Sequence, residues 1–532
     1  MAKLLLILLT LTGAAAAIAP AGVASAAPAV LPAGCHAEWP VVTHHSGGAL
    51  VSATTTTVAC GIDTGTATSE TSIGVTNAGS LLFSPAQSEN TVARSTTAGS
   101  VWALVAPAGA QQSTLFNTVD PQLTVDRSTG RIFWIHATGP DRTVPGIIPG
   151  GLVPPGDLLP FVPAYGFQVY RSTDDGASFT TADYQTAPMG DWEKLFVGPP
   201  TAAGPTPHGY PNVVYICANS PFEASGPSRL CYRSLDGGAT FSPAGYVLAP
   251  GATRICPPLG ANTGVVDSHG TTYQPESCQD GAYLAVSTDE GATYAWVPVL
   301  TAPANPNLTG GNIQLAMDAG DNLYVSFLQG DLLMVTISRD HGATWSAPTS
   351  VTAPGVHGLV LPAIAAGPKG AVAFTYYGRP GAGATGPENA YITETSDALD
   401  AQPLWTSGVY NDPAHPIYYA GGLTTYPRAD YVGGTFDASG HFWAAVTRQL
   451  GPPDGNGNVS TTGHVGRLYM VAAAATTASA LASRPVLPNT ASGPAGLAVV
   501  TLLALAALAG TGVLSAGLTG RRSPNRPNRA RG

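Results

Sequence analysis

The chain has 532 residues, of which only 10% are Asp, Glu, Lys or Arg, with 64 glycines, 47 prolines and a formal net charge of −10. Sparse charge combined with many turn formers and 44% hydrophobic residues argues for short apolar strands joined by tight turns, and against disorder or a helical bundle. Without Lys3 and the five arginines of the last dozen residues the remainder is more acidic still, which makes it a poor polyanion binder, and no nucleic-acid partner is expected.

At the N-terminus, Lys3 precedes an apolar run from Leu4 to Leu11, an Ala-rich stretch and Ala24-Ser25-Ala26. A basic start, a short apolar core and an A-x-A site make up the layout of a secretory signal, so residues 1–26 are read as a signal peptide and 27–69 as an N-terminal segment. Export makes the six cysteines, Cys35, Cys60, Cys217, Cys231, Cys256 and Cys278, candidates for three disulfides. Six cysteines allow fifteen pairings, and pairing in sequence order is the expectation; none shows the close spacing of a zinc site.

Residues 70–471 are repetitive. A first unit, Thr71 to Trp102, ends in Ser95, Thr97, Gly99 and Trp102. A second starts at Asp120 with two strands in PQLTVDRSTGRIFWI, passes through a Pro/Gly-rich insert at 139–163, and ends in Ser172, Asp174, Gly176 and Phe179. The same pattern returns at Ser234, Asp236, Gly238 and Phe241, at Ser287, Asp289, Gly291 and Tyr294, and at Ser338, Asp340, Gly342 and Trp345. This is the chemistry of a tight turn: a short carboxylate accepts nearby backbone N–H groups and Gly supplies a positive φ. An apolar strand leads into each (GFQVYRS, SRLCYRS, AYLAVS, LLMVTIS), so each turn is expected to join the two outer strands of an antiparallel sheet. Two later units, opened by AIAAGPKGAVAFTYY and DYVGGTFDASGHFWAAV, lack a clean copy and bring the count to seven.

The pattern S-x-D-x-G-x-x-aromatic resembles the Asp box of the sialidase-like, or BNR-repeat, β-propellers of secreted bacterial type. The resemblance implies an all-β fold, a six- or seven-bladed β-propeller of four-stranded antiparallel blades. Sialidases have six blades; the unit count here favours seven. It also implies that the boxes lie on the face away from any active site, leaving the loops between second and third strands, and those entering each first strand, as the binding face.

After the propeller, 472–490 is read as a linker ending in Leu487-Pro488-Asn489-Thr490, and 491–532 as an apolar membrane anchor with an Arg-rich tail. About 20 apolar residues span a bilayer, and the arginines that follow would stay on the cytoplasmic side, holding the propeller outside. The arrangement resembles a cell-wall sorting signal, but Ala491 stands where the sortase motif has Gly, so a plain membrane anchor is the alternative.

On the loop face the ligand-binding candidates are Asp191, Trp192, Arg254, Glu276, Arg379, Arg428, Asp430 and Tyr431. The sialidase resemblance implies three arginines clamping a substrate carboxylate, a Tyr–Glu nucleophile pair and an Asp acid/base. Arg254, Arg379 and Arg428 are the arginines available for the clamp, Tyr426 or Tyr431 for the nucleophile, and Glu388 or Glu394 for its partner. The family's F-R-I-P sequence is absent, its nearest match being Arg254-Ile255-Cys256-Pro257 after two boxes. Catalytic residues are therefore left unassigned. The chain is expected to be an exported, surface-retained propeller binding an extracellular glycan or protein, with an exo-sialidase-type glycoside hydrolase as the alternative. No cofactor is expected, although acids of the loop face could hold Ca²⁺ through oxygen ligands.

Overall fold

A computed structural model describes the chain between residues 41 and 470, except 54–56, 69, 86–90, 108–115, 118–120, 140–165, 182–184, 187–190, 221–227, 250, 253–255, 257–262, 279, 302–312, 382–385, 420–431, 453 and 455–458. The signal peptide, Cys35, the linker, the Leu487–Thr490 motif and the C-terminal apolar segment lie outside the described residues. So do Arg254, Arg428, Asp430 and Tyr431, as well as Tyr426. Among the described residues no helix is long and apolar enough to cross a membrane.

The strands form seven antiparallel blades, each with its first strand innermost. Blade three shows the plan in full, running Asp191–Gly198, Val213–Ser220, Ser228–Ser234 and Ser242–Leu248 in spatial order. Neighbouring innermost strands touch all the way round, and that of the seventh blade, Gly433–Phe436, meets Thr71–Val75 of the first, closing the ring. The six-blade alternative is thereby excluded.

The strands read as almost continuous apolar runs because both faces of each blade are covered. In the second blade Phe133 and Ile135 enter the cluster shared with blade three, whereas Ile132 and Trp134, on the opposite pleat, enter the cluster shared with blade one. Seven clusters of this kind straddle the seven blade interfaces. The core is thus a ring of interfaces rather than a centre.

Two parts of the segment ahead of the repeats belong to this architecture. Strands β1 (Val41–His45) and β2 (Leu50–Ala53) extend the sixth blade outward, β1 pairing with Leu404–Val409. Strand β3 (Thr57–Asp63) is the outermost strand of the seventh blade and pairs with Thr461–Met470. At its end Asp63 takes an ion pair from Arg448 at 2.6 Å and a bond from His464 at 2.6 Å. Burial raises the pKa of Asp63, but these two partners hold the carboxyl below its usual range.

The four Ser-x-Asp-x-Gly turns share one hydrogen-bond pattern and join third to fourth strands, as expected. In the third copy Ser287 Oγ donates to Asp289 at 2.7 Å and accepts from the Gly291 amide at 2.8 Å. Gly291 has φ +79°, which is why no larger residue stands there. The Thr293 amide and hydroxyl then close on the two Asp289 oxygens at 2.9 and 2.6 Å. Ser178, Thr240 and Thr344 do the same in the other copies. The Thr344 hydroxyl, with its amide, lowers the pKa of Asp340. In the first blade Thr97 replaces Asp yet keeps the pattern, with Gly99 N bonded to Ser95 Oγ at 3.0 Å and Val101 N to Thr97 Oγ1 at 2.9 Å. The sixth blade has a relative that sequence reading missed: Thr395 donates to Asp397, which also accepts the Leu404 amide at 3.2 Å.

Candidate functional site: the loop face

Because strands alternate in direction, the Ser-x-Asp-x-Gly turns and the turns between first and second strands share one end of the ring. The loops between second and third strands, and the crossovers between blades, share the other. Glu276, two residues before the end of Thr272–Cys278, and Arg379, one residue before the end of Val372–Pro380, lie at that loop end. Asp191 and Trp192 open the innermost strand of blade three, also at the loop end; their side chains lie outside the described residues.

Glu276 is buried at the interface of blades three and four. Arg229, near the start of Ser228–Ser234, crosses that interface, its Nη1 donating to Glu276 Oε1. Its Nε donates to Asn219 at 2.8 Å, and Asn219 is the register partner of Arg229. The two charged side chains are only 2% and 1% exposed. Desolvation pushes the Glu276 carboxyl up, opposed by the Arg229 cation.

Disulfides flank the pair on both sides. Cys217–Cys231 joins register partners one pleat repeat from Asn219 and Arg229, and Cys256–Cys278 ends two residues beyond Glu276. Both follow the expected sequential pairing. Cys60 is disulfide-bonded as well. Gln274 connects the two blades further, donating to Cys217 Sγ at 3.3 Å.

Arg379 is likewise engaged. Its Nη2 forms an ion pair with Glu388, which is fully buried, and its Nε donates to Gly386 O at 3.1 Å. Gly-rich surroundings suggest a mobile arginine; instead it belongs to a strand, because Gly378 and Arg379 pair with Asn389 and His357 on either side. Glu276 and Arg379 belong to blades four and six and to two separate ion pairs, so these candidates are not brought into one site.

Glu394 stands at the other end of its strand, beside Thr395 and its turn, which removes it as a nucleophile partner on the loop face. Burial pushes its carboxyl up to about 7, against the opposing pull of Arg467. A folded-state value above the unfolded one adds stability that is full below about 4.5 and is lost as pH rises through 7. Glu394→Gln is therefore expected to match the wild type at pH 4 and to exceed it by about 2 kcal/mol at pH 8, allowing for solvent screening of a partly buried group. Urea unfolding at the two pH values measures the difference.

Sequence reasoning missed Arg229 and Asn219. Their signal was present, since an Arg in the apolar run SRLCYRS needs a buried partner, but that partner lies in another blade. Among the described residues no group of three or more His, Cys, Asp or Glu is placed to hold a metal ion.

No protein-family model matches the chain, and no curated protein matches it. Among solved structures, YCF48 from Cyanidioschyzon merolae aligns with TM-score 0.42 and 11% identity, covering 77% of this chain and 99% of its own. A mutant of the NanB sialidase from Streptococcus pneumoniae aligns with TM-score 0.40 and 9% identity, covering 81% and 95%. An α-L-arabinofuranosidase from Fusarium graminearum aligns with TM-score 0.37 and 14% identity, covering 68% and 95%. At these values the likeness speaks to neither substrate nor mechanism.

Proposed function

We propose that this chain is an exported, surface-retained propeller that binds an extracellular glycan through its loop face without cleaving it. The observation that carries the non-catalytic part is the engagement of Arg379 and Glu276. A guanidinium already held by Glu388 is a poor carboxylate clamp, and a carboxylate sealed against Arg229 at an interface cannot reach a substrate. Both pairs stiffen the rim from which the loops project, and rigid framing suits recognition. Disulfides in the loop-face frame are consistent with an oxidising compartment, which agrees with the signal-like N-terminus; the apolar segment followed by arginines supports retention.

The test is a glycan array probed with the full chain, run beside a fluorogenic sialoside assay. Saturable binding of a glycan with no sialoside turnover is the expected result. Turnover abolished by both Arg379→Ala and Arg428→Ala would establish a sialidase clamp and reject the reading.

A further inference from the structure

The opposite face carries a regular device between consecutive blades. The residue before the turn serine is Arg94, Arg171 and Arg233 in blades one to three. Arg94 and Arg233 approach the residue after the turn aspartate of the next blade, Asp175 and Glu290; the corresponding residue facing blade two is Gly237, and Arg171 lies against the next glycine, Gly238. Asp175, Gly237 and Glu290 share a left-handed backbone, with φ +61°, +69° and +57°.

At the first interface the acid is fully clasped. Arg94 Nη2 meets Asp175 Oδ2 at 2.6 Å, Arg94 Nε donates to Asp175 O at 2.7 Å, and the Thr76 and Ser80 hydroxyls bind the same carboxylate. At the third, Arg233 Nη1 lies 4.0 Å from a Glu290 oxygen and donates to its backbone carbonyl at 3.0 Å, while the Thr201 amide binds the other carboxylate oxygen at 3.2 Å.

The second interface has the cation and lacks the acid. Among the described residues the Arg171 side chain makes no hydrogen bond or ion pair, and its Nε is buried without a partner. A second cation, Arg131, stands where Ser80 stands in blade one, just before the second strand. It lies over the Tyr210 ring at 4.3 Å and donates to Gly237 O at 3.2 Å. A Cβ on Gly237 would fall 2.1 Å from Arg131 Nη1, so the guanidinium takes the space where the acidic side chain would start. The nearby carboxylates, Asp174 and Asp236, are each bonded by the hydroxyls and amides of their own turns. Burial and the like charge of Arg131 both work against the Arg171 cation, with Asp236 opposing. Beside the two arginines is a cavity of about 170 Å³, also lined by Thr173, Asp174, Ser178 and Thr180.

We propose that this cavity, whose lining belongs wholly to blade two, is an oxyanion site, in which a carboxylate or sulfate group supplied from outside gives the two arginines the counter-charge that Asp175 and Glu290 provide at the neighbouring interfaces. Two guanidinium groups offer charge-assisted donors to a planar or tetrahedral oxyanion, and the ligand relieves their mutual repulsion; the Ser172, Ser178 and Thr180 hydroxyls already donate to Asp174 and to Arg171 O, and the Asp174 carboxylate, held by its own turn, stays on the cavity wall. The site lies on the face opposite the loops and is independent of the glycan-binding proposal.

Thermal unfolding of the full chain in malonate, in sulfate and in sodium chloride of equal ionic strength tests it. Saturable stabilisation by malonate or sulfate beyond chloride, with a Tm rise of roughly 2 °C, is expected. Arg171→Gln is expected to remove the response. The double variant Arg131→Ser with Gly237→Asp rebuilds the chemistry of the first interface on a backbone already suited to Asp; it is expected to fold without added anion and to show no anion response. Equal shifts in all three salts, or a response that survives in the double variant, would overturn the proposal.

Discussion

Replacing either Arg229 or Glu276 by Ala is expected to lower stability by about 3–5 kcal/mol, since each change leaves the other charge buried and unpaired between blades. The cost comes from the orphan rather than from the lost attraction, so the double variant Arg229→Met with Glu276→Leu should recover most of it. Glu276→Gln should fall between, keeping an acceptor for the arginine but leaving its charge uncompensated. Thermal or denaturant unfolding of the four proteins measures the ordering. If the double variant were no better than the singles, the residues would be acting through shape rather than charge.

A larger effect is expected from removing β3. A chain starting at residue 64 loses the outermost strand of the seventh blade, exposes the paired edge of Thr461–Met470, and strips Val58, Ala59 and Cys60 from two interface clusters. It also loses the Asp63 contacts to Arg448 and His464. The expected result is an aggregating protein with no cooperative melting transition, seen by circular dichroism and size-exclusion chromatography, because an unpaired apolar edge recruits other chains. A chain starting at residue 54 is the control. It loses the β1–β2 hairpin, including the His44–Ser407 bond at 2.8 Å and the Trp405–Ser46 bond at 3.1 Å, together with the disulfide of Cys60, but keeps the ring closed. It should still melt cooperatively, at a lower temperature.

What could be read in the sequence was whatever short-range chemistry wrote there. The Ser-x-Asp-x-Gly turns satisfy themselves within seven residues, so their positions and the strands around them follow from spacing, whereas the blade number read this way stays at six or seven because two units lack the turn pattern. Even the Ser or Thr before the aromatic was visible in all four copies, although its bond to the Asp was not inferred. The turn at Thr395 was hidden because its closing amide comes from Leu404, beyond the usual spacing. β3 was hidden for a deeper reason: nothing in TVACGID names a partner strand at the far end of the chain. The candidate site was the least legible part. Arg379 and Glu276 were singled out as charges near loops, but whether a charge meets solvent or a partner depends on what the next blade, or the next strand, puts against it. For Glu276 that is Arg229, 47 residues earlier.

The closure by β3 also sets a clock. Asp63 and His464, bonded in the finished ring, are 401 residues apart in sequence. At about 5–20 residues per second, synthesis of the intervening chain takes tens of seconds. Through that interval β3 has no partner, and the blades formed early have no ring to complete. The last turn of the circle therefore waits for the last strand, and the nascent chain remains an open, threadable arc until its synthesis is nearly over.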